Sequence, residues 1–336
     1  MEQQAERIGI LIANTGSPDA PSQDAAREFL KQYLSNKRIA PKRNPFFWIQ
    51  TRASIIPKRS ETLAQQYRKI WMDEGSPMLV HTERLANALA AKYREEDLPY
   101  TVKFAMSFGS PSISDALEAF YEEGINRLVV LPLYPVSAFS TVKVVEDEVR
   151  AKFKAMSWRP YIRYINGYAD HPVFARTIAA SIKHAGFAPG STDKLVYVFP
   201  SIPLSDIEAG DAYELSAGAA CLAISNELLV ERRQWTIAYG GVRYKEGEWL
   251  APSLSTVLER ESGLEAHRVF IACPNHPTDC LETLYEISAK AIPSYRSQLI
   301  MNGMQPATDC VTLVECLNDS DAHVRLLGEV VRRATL

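Results

Sequence analysis

Two glutamates and a histidine in the last third of the chain have the types and spacing to do chemistry. Glu282 and Glu286 lie four residues apart in a stretch of helical periodicity, so their carboxylates share one helix face. His276 stands six residues before Glu282, in the loop Pro274-Asn-His-Pro-Thr-Asp279 that follows an apolar run. An imidazole near carboxylates suits proton transfer and the handling of a divalent cation. A lone loop histidine also reads as a plain polar residue, and the local sequence leaves both readings open. His81, His171, His184, His267 and His323 look structural or solvated, and no H-x-x-x-H or Cys/His grouping suggests a zinc site. A second cluster, Pro45-Phe-Phe-Trp-Ile49 through Ile55-Ile56, is flanked by Lys42, Arg43, Arg52, Lys58 and Arg59. It reads as an exposed apolar flap with a basic rim, the alternative being core or a buried helix face.

These groups need a scaffold, and the chain predicts an α/β one. Short β-branched apolar runs occur at Ile8–Ala13, Val102–Met106, Leu128–Leu133 and Ile162–Ile165, then at Leu195–Phe199, Thr236–Tyr239, Val269–Cys273 and Thr312–Glu315. Amphipathic stretches of helix length separate them, among them Glu83–Lys92 and Thr278–Lys290, with caps expected at Asp24, Ser112 and Thr278. Such alternation means parallel sheets built from βαβ units. Four strands in each half predict two Rossmann-like domains. The expected boundaries are residues 1–165, with the apolar lip at 41–57 and completed by a returning C-terminal helix at 315–336, and residues 166–314, with the helix at 278–290. A doubly wound sheet places its ligand at the carboxyl ends of its strands, where Asn14-Thr-Gly-Ser-Pro18, Phe199-Pro-Ser201 and Pro274-Asn-His276 emerge.

Bulk properties exclude several function classes. The 336 residues are 46% hydrophobic, enough for packed cores, and carry 37 basic against 40 acidic groups for a net charge of −3. No basic footprint for nucleic acid is present. Neither a G-x-G-x-x-G fingerprint nor a P-loop occurs, which disfavours nucleotide-dependent chemistry. The polar, acidic start Met1-Glu-Gln-Gln-Ala-Glu-Arg7 and the lack of a long apolar run lead to the expectation of a soluble, cytoplasmic protein. Five cysteines without a C-x-x-C pair read as small buried hydrophobes in a reducing compartment.

An ordered set of motifs runs along nearly the whole chain: Asn14-Thr-Gly-Ser-Pro-Asp19, Tyr67-Arg-Lys-Ile-Trp71, Gly75-Ser-Pro77, Phe108-Gly-Ser-Pro111, Val130-Leu-Pro-Leu-Tyr-Pro135, Trp249-Leu250, Asp279-Cys-Leu-Glu-Thr-Leu-Tyr-Glu286 and Cys316-Leu-Asn-Asp319. In this set the chain resembles the ferrochelatase family. The resemblance implies a chelatase fold of two four-stranded parallel sheets with a porphyrin cleft between them. It also implies insertion of ferrous iron or another divalent metal into a porphyrin in heme biosynthesis. Lys58, Arg59 and Ser76 fall on positions that bind porphyrin carboxylates, with Tyr67 close by in the pattern. Thr15, Phe108 and Trp249 fall in motifs set against the substrate, and Phe46, Phe47 and Trp48 would cover it and could touch a membrane surface peripherally. No prosthetic group is implied, because the metal is substrate. Cys310 and Cys316 are too few for the iron–sulfur cluster that some members carry.

The chain also departs from that pattern. Pro200 stands in Phe199-Pro-Ser201 where the family has its catalytic histidine, and Ser107 replaces an arginine. The acidic row stops after Glu286, at Ser288 and Lys290. His276 takes the place of a loop aromatic, so the expected working groups are His276 and Glu282, with Glu286 as a further metal ligand. Loss of the usual histidine and arginine leaves open a non-catalytic porphyrin-binding or regulatory protein, or an enzyme repurposed for another metal complex.

Overall fold

The computed structural model describes residues 7–40, 51–241, 247–263 and 268–335. The lip residues Phe46, Phe47 and Trp48 fall outside them, as does His267. The chain divides into two compact units, Met1–Tyr168 together with Asp319–Leu336, and Ala169–Asn318. The crossing thus comes three residues later than expected from sequence, and the return four residues later.

The first unit is a four-stranded parallel sheet in the order β2-β1-β3-β4, with β1 Ile8–Gly16, β2 Tyr100–Phe108, β3 Arg127–Pro132 and β4 Tyr161–Tyr164. Ile10 through Ala13 are wholly buried because β1 lies inside the sheet with helices over both faces. At the end of β1 the backbone of Gly16 turns to φ +98°, and a Cβ there would lie 1.8 Å from the Phe108 carbonyl oxygen. Only glycine fits this approach. The final helix, Asp321–Thr335, packs on the helix Pro77–Glu95, and His81 Nδ1 lies 2.6 Å from Asp319 Oδ1.

The second unit repeats the topology in the order β6-β5-β7-β8, with β5 Lys194–Pro200, β6 Trp235–Gly240, β7 Val269–Ala272 and β8 Val311–Leu313. Central β5 is apolar on both faces from Leu195 to Phe199, as a strand covered on both sides must be. Among the described residues no helix is long and apolar enough to cross a membrane.

Several helical expectations are corrected. Ser22, not Asp24, caps the helix Gln23–Ser35, because its hydroxyl accepts from the Ala25 amide. The helix expected at Glu83–Lys92 begins at Pro77 behind the cap Ser76. A helix at Ile56–Arg68 occupies the end of the expected lip and continues beyond it. Its buried residues, Ile56, Ser60, Ala64 and Tyr67, keep helical spacing, but the serine hides the stripe. The helix expected from Thr278 starts instead at Leu281, runs as a π-helix over Glu282–Ala291 and continues as an α-helix to Met301. Pro293, which has no N–H to donate, stands just past the junction. Ser112 does cap Ile113–Glu122, in a reciprocal capping box with Asp115.

On the helix Val142–Met156, Arg38 grips Asp147 bidentately at 2.6 and 3.1 Å and holds that carboxyl below its usual range. Its neighbour Glu148 goes the other way: burial first, and the Asp147 charge second, push its carboxyl from 4.5 up to about 8. Between these values the folded chain keeps a proton that the unfolded chain has lost, so this group destabilises the fold as pH rises. The melting temperature should therefore fall from about pH 5 to about pH 8, and Glu148→Gln should flatten the slope. Parallel profiles for the two proteins in thermal melts would refute this.

Candidate active site

The carboxyl ends of the second sheet frame a cavity of about 340 Å³. Phe199, Pro200 and Ser201 enter from β5, Tyr239 and Gly240 from β6, and Ser253 to Ser255 from the start of the helix Leu254–Ser262. His276 reaches it from the loop after β7, and Glu282, Glu286, Lys290 and Ser294 line it from the π-helix and its continuation. Pro200 and His276 therefore border one space. The proline is locked in place: its carbonyl accepts from the Tyr213 hydroxyl at 2.9 Å, and the next amide, of Ser201, donates to the Gly240 carbonyl at 2.6 Å.

His276, Cys280 and Glu282 bring one nitrogen, one sulfur and one oxygen within 4.8 Å of one another. The Cys280 thiol donates to Glu282 Oε2 at 3.2 Å, while His276 Nδ1 is buried with no hydrogen-bond partner among the described residues. Burial lowers the His276 pKa, against an upward pull from Glu282 and then Asp279, and so favours the neutral ring. Burial, followed by Glu282, pushes the Cys280 thiol well up. A neutral imidazole, a thiol and a carboxylate converging on one point can accept protons or ligate a cation. Glu286 stands apart from this group, 3.0 Å from Lys290 Nζ in an ion pair.

The loop that presents His276 is pinned from behind. Asn318 and Asp279 bond reciprocally, the Asp279 amide to Asn318 Oδ1 at 2.7 Å and Asn318 Nδ2 to Asp279 Oδ2 at 2.7 Å. Thr283 Oγ1 donates to Asp279 Oδ1 at 2.8 Å and accepts from the Cys280 amide at 3.0 Å. The backbone of Asn318 adopts φ 48°, a left-handed value that asparagine tolerates.

A family model for ferrochelatase matches residues 7–335. A ferrochelatase of Yersinia enterocolitica is 32% identical over 326 residues, covering 97% of this chain and 97% of its own. Another, of Erwinia tasmaniensis, is 32% identical over 328 residues and covers 98% of each. The chain belongs to the ferrochelatase family. The sirohydrochlorin chelatase SirB of Bacillus subtilis subspecies spizizenii, solved with cobalt, aligns with a TM-score of 0.54 over 98% of this chain and 96% of that one. Its 11% identity makes that a likeness of fold, and the fold is that of the chelatases.

Several residues expected at the ferrochelatase substrate lie in the first unit, where the structure gives their surroundings. Ser76 is fully buried, its hydroxyl bonded to Ser17 Oγ at 2.5 Å and to the Leu79 amide at 3.2 Å. Tyr67 is buried edge-on to Trp71, and Phe108 is buried with Phe29 and Tyr33. Thr15, partly buried, bonds to the Tyr134 hydroxyl. Lys58 is exposed and Arg59 partly so, on the first turn of Ile56–Arg68. Trp249, in the second unit, is partly buried beside Pro203. At Ser107 the hydroxyl is buried without a partner among the described residues, so the shorter side chain does not take over the hydrogen bonding of an arginine.

Cys280 is the functional candidate that sequence reasoning passed over, and the exclusion of a Cys/His grouping is corrected. The signal was His276-x-x-x-Cys280-x-Glu282, which a search for paired cysteines or histidines does not catch. The asparagine behind this group gives a direct test. Asn318→Ala should cost about 1.5–3 kcal/mol in denaturant unfolding, the usual loss for a hydrogen bond to a charged group. Asn318→Asp should cost more, because it sets a second carboxylate against Asp279. Wild-type stability in either variant would show that the pin is dispensable.

Proposed function

We propose that this protein inserts a divalent metal, with ferrous iron as the family's metal, into a carboxylate-bearing tetrapyrrole, using His276 and Glu282 as its working groups. Insertion must remove two pyrrole N–H protons and strip water from the cation. Neutral His276 accepts one proton and the Glu282 carboxylate the other, so that each metal inserted releases two protons. The observation that carries this reading is the shared cavity: an imidazole borders the space next to Pro200, the position where the family's imidazole is missing. Lys58, Arg59 and Ser76 are the proposed anchors for the tetrapyrrole's carboxylates, with Arg59 the best match because guanidinium pairs bidentately. On this reading the protein acts in the cytoplasm, in heme biosynthesis, with the metal as substrate and no resident cofactor.

The assay is direct. Mixed with protoporphyrin and ferrous or zinc ion, the protein should replace the free-base visible bands with those of the metalloporphyrin. A shifted free-base spectrum without replacement would instead favour a porphyrin-binding protein that does not turn over. His276→Ala should slow insertion about 10²–10⁴-fold, as for loss of a general base, while tetrapyrrole binding survives. Full activity in that variant would remove His276 from the mechanism. Arg59→Glu should weaken tetrapyrrole binding by about 1.5–3 kcal/mol in a fluorescence titration, and unchanged affinity would dismiss the anchor.

A further inference from the structure

The geometry points to Cys280 as a third metal ligand, making the group a mixed nitrogen, sulfur and oxygen site that favours borderline-soft divalent cations such as Zn²⁺ and Co²⁺ over Fe²⁺. The idea takes its purpose from metal insertion but stands on its own donor atoms. His276, Cys280 and Glu282 already place their ligand atoms within 4.8 Å of one another. In a tetrahedral zinc site with bonds of about 2.0–2.3 Å, donors stand roughly 3.5 Å apart, so closure asks for side-chain movements of about 1 Å.

Each donor is suited to the task. His276 Nδ1 is buried with no hydrogen-bond partner among the described residues, so in the tautomer that leaves it unprotonated its lone pair is open to a cation. Cys280 is only 3% exposed, so little water competes at its sulfur. Glu282 and His276 both line the cavity, so a fourth position stays open to water or to an incoming acceptor, as in catalytic zinc sites. Thiolate ligation selects zinc over harder cations, and for common donors affinity rises from Fe²⁺ through Co²⁺.

Ligation is balanced in protons. The S–H bond of Cys280 breaks as the sulfur–metal bond forms. The proton passes to Glu282 Oε2, which already accepts from the thiol at 3.2 Å, and then to water in the cavity. The carboxylate is thereby freed to ligate, and one proton is released per cation bound. Cys316 is occupied differently, its thiol bonded to Asp279. Among the described residues His276, Cys280 and Glu282 form the only such group.

The test uses the metal alone, without tetrapyrrole. Titration of the full chain with Co²⁺ should develop a thiolate-to-cobalt charge-transfer absorption that saturates at one cobalt per chain. Cys280→Ser should abolish that band and weaken Zn²⁺ binding by about 10-fold or more, while Cys316→Ser keeps both. X-ray absorption of the zinc-loaded wild type, which needs no variant, should show one sulfur at about 2.3 Å. A zinc shell without sulfur, or a cobalt band that survives in Cys280→Ser and vanishes in Cys316→Ser, would overturn the assignment. The two readings fail separately. Normal metal insertion with no Cys280-dependent band would sink the third ligand alone, whereas a Cys280-dependent band in a protein that metallates no porphyrin would sink the proposed reaction alone.

Discussion

The reciprocal bond between Asp279 and Asn318 is the constraint on which the candidate site depends. Asp279 sits between the loop that presents His276 and the π-helix that presents Glu282, so fixing its carboxylate fixes both. Thr283 closes the arrangement from the helix side and also satisfies the Cys280 amide near the helix start. A buried carboxylate supplied with such donors lets a short, irregular loop hold its shape without strand or helix pairing of its own. Three donor atoms can then converge although they come from one short stretch of chain.

Pro200 shows how far the rest of the site is arranged around the altered residue. A proline is tolerated at the end of a strand, where the missing N–H need not join the ladder. Here its carbonyl is bonded to Tyr213 and the following amide to Gly240, so the backbone polar groups around it are satisfied. The imidazole enters the same cavity from the loop after β7, the strand hydrogen-bonded beside β5. Ser107 is different, because its hydroxyl has no partner among the described residues.

The central strands β1, β3, β5 and β7 were legible because parallel strands covered on both sides must be apolar on both faces, and the edge strands among the described residues showed through shorter apolar runs. The alternation with helices made two parallel sheets readable, and the identical strand orders of the two units appear only in three dimensions. The helix Ile56–Arg68 escaped because Ser60 interrupts its buried stripe, and the π-helix escaped because a wider turn has no distinctive hydrophobic period in so short a segment. At the site, His276 and Glu282 were visible from residue type and order. The burial of Ser76, Tyr67 and Phe108 was not legible, since motif membership does not distinguish a side chain that caps or packs from one that faces a ligand. Cys280 read as a small buried hydrophobe, which it is, and only the structure sets a carboxylate oxygen and an imidazole beside its sulfur.

The ion pair between Glu286 and Lys290 changes how the cavity is felt from a distance. Glu282, Glu286 and Lys290 lie along one row, and the lysine cancels one of the two negative charges. A paired charge is a dipole, whose field decays faster than that of a bare carboxylate, so the row draws in cations over a shorter range than an all-acidic row would. Long-range attraction is also the part of electrostatics that salt screens. On the proposed reading, capture of a cation here would depend more on close encounter and on the donors at the inner end than on steering, which would make the entrance comparatively insensitive to the ionic strength of its surroundings.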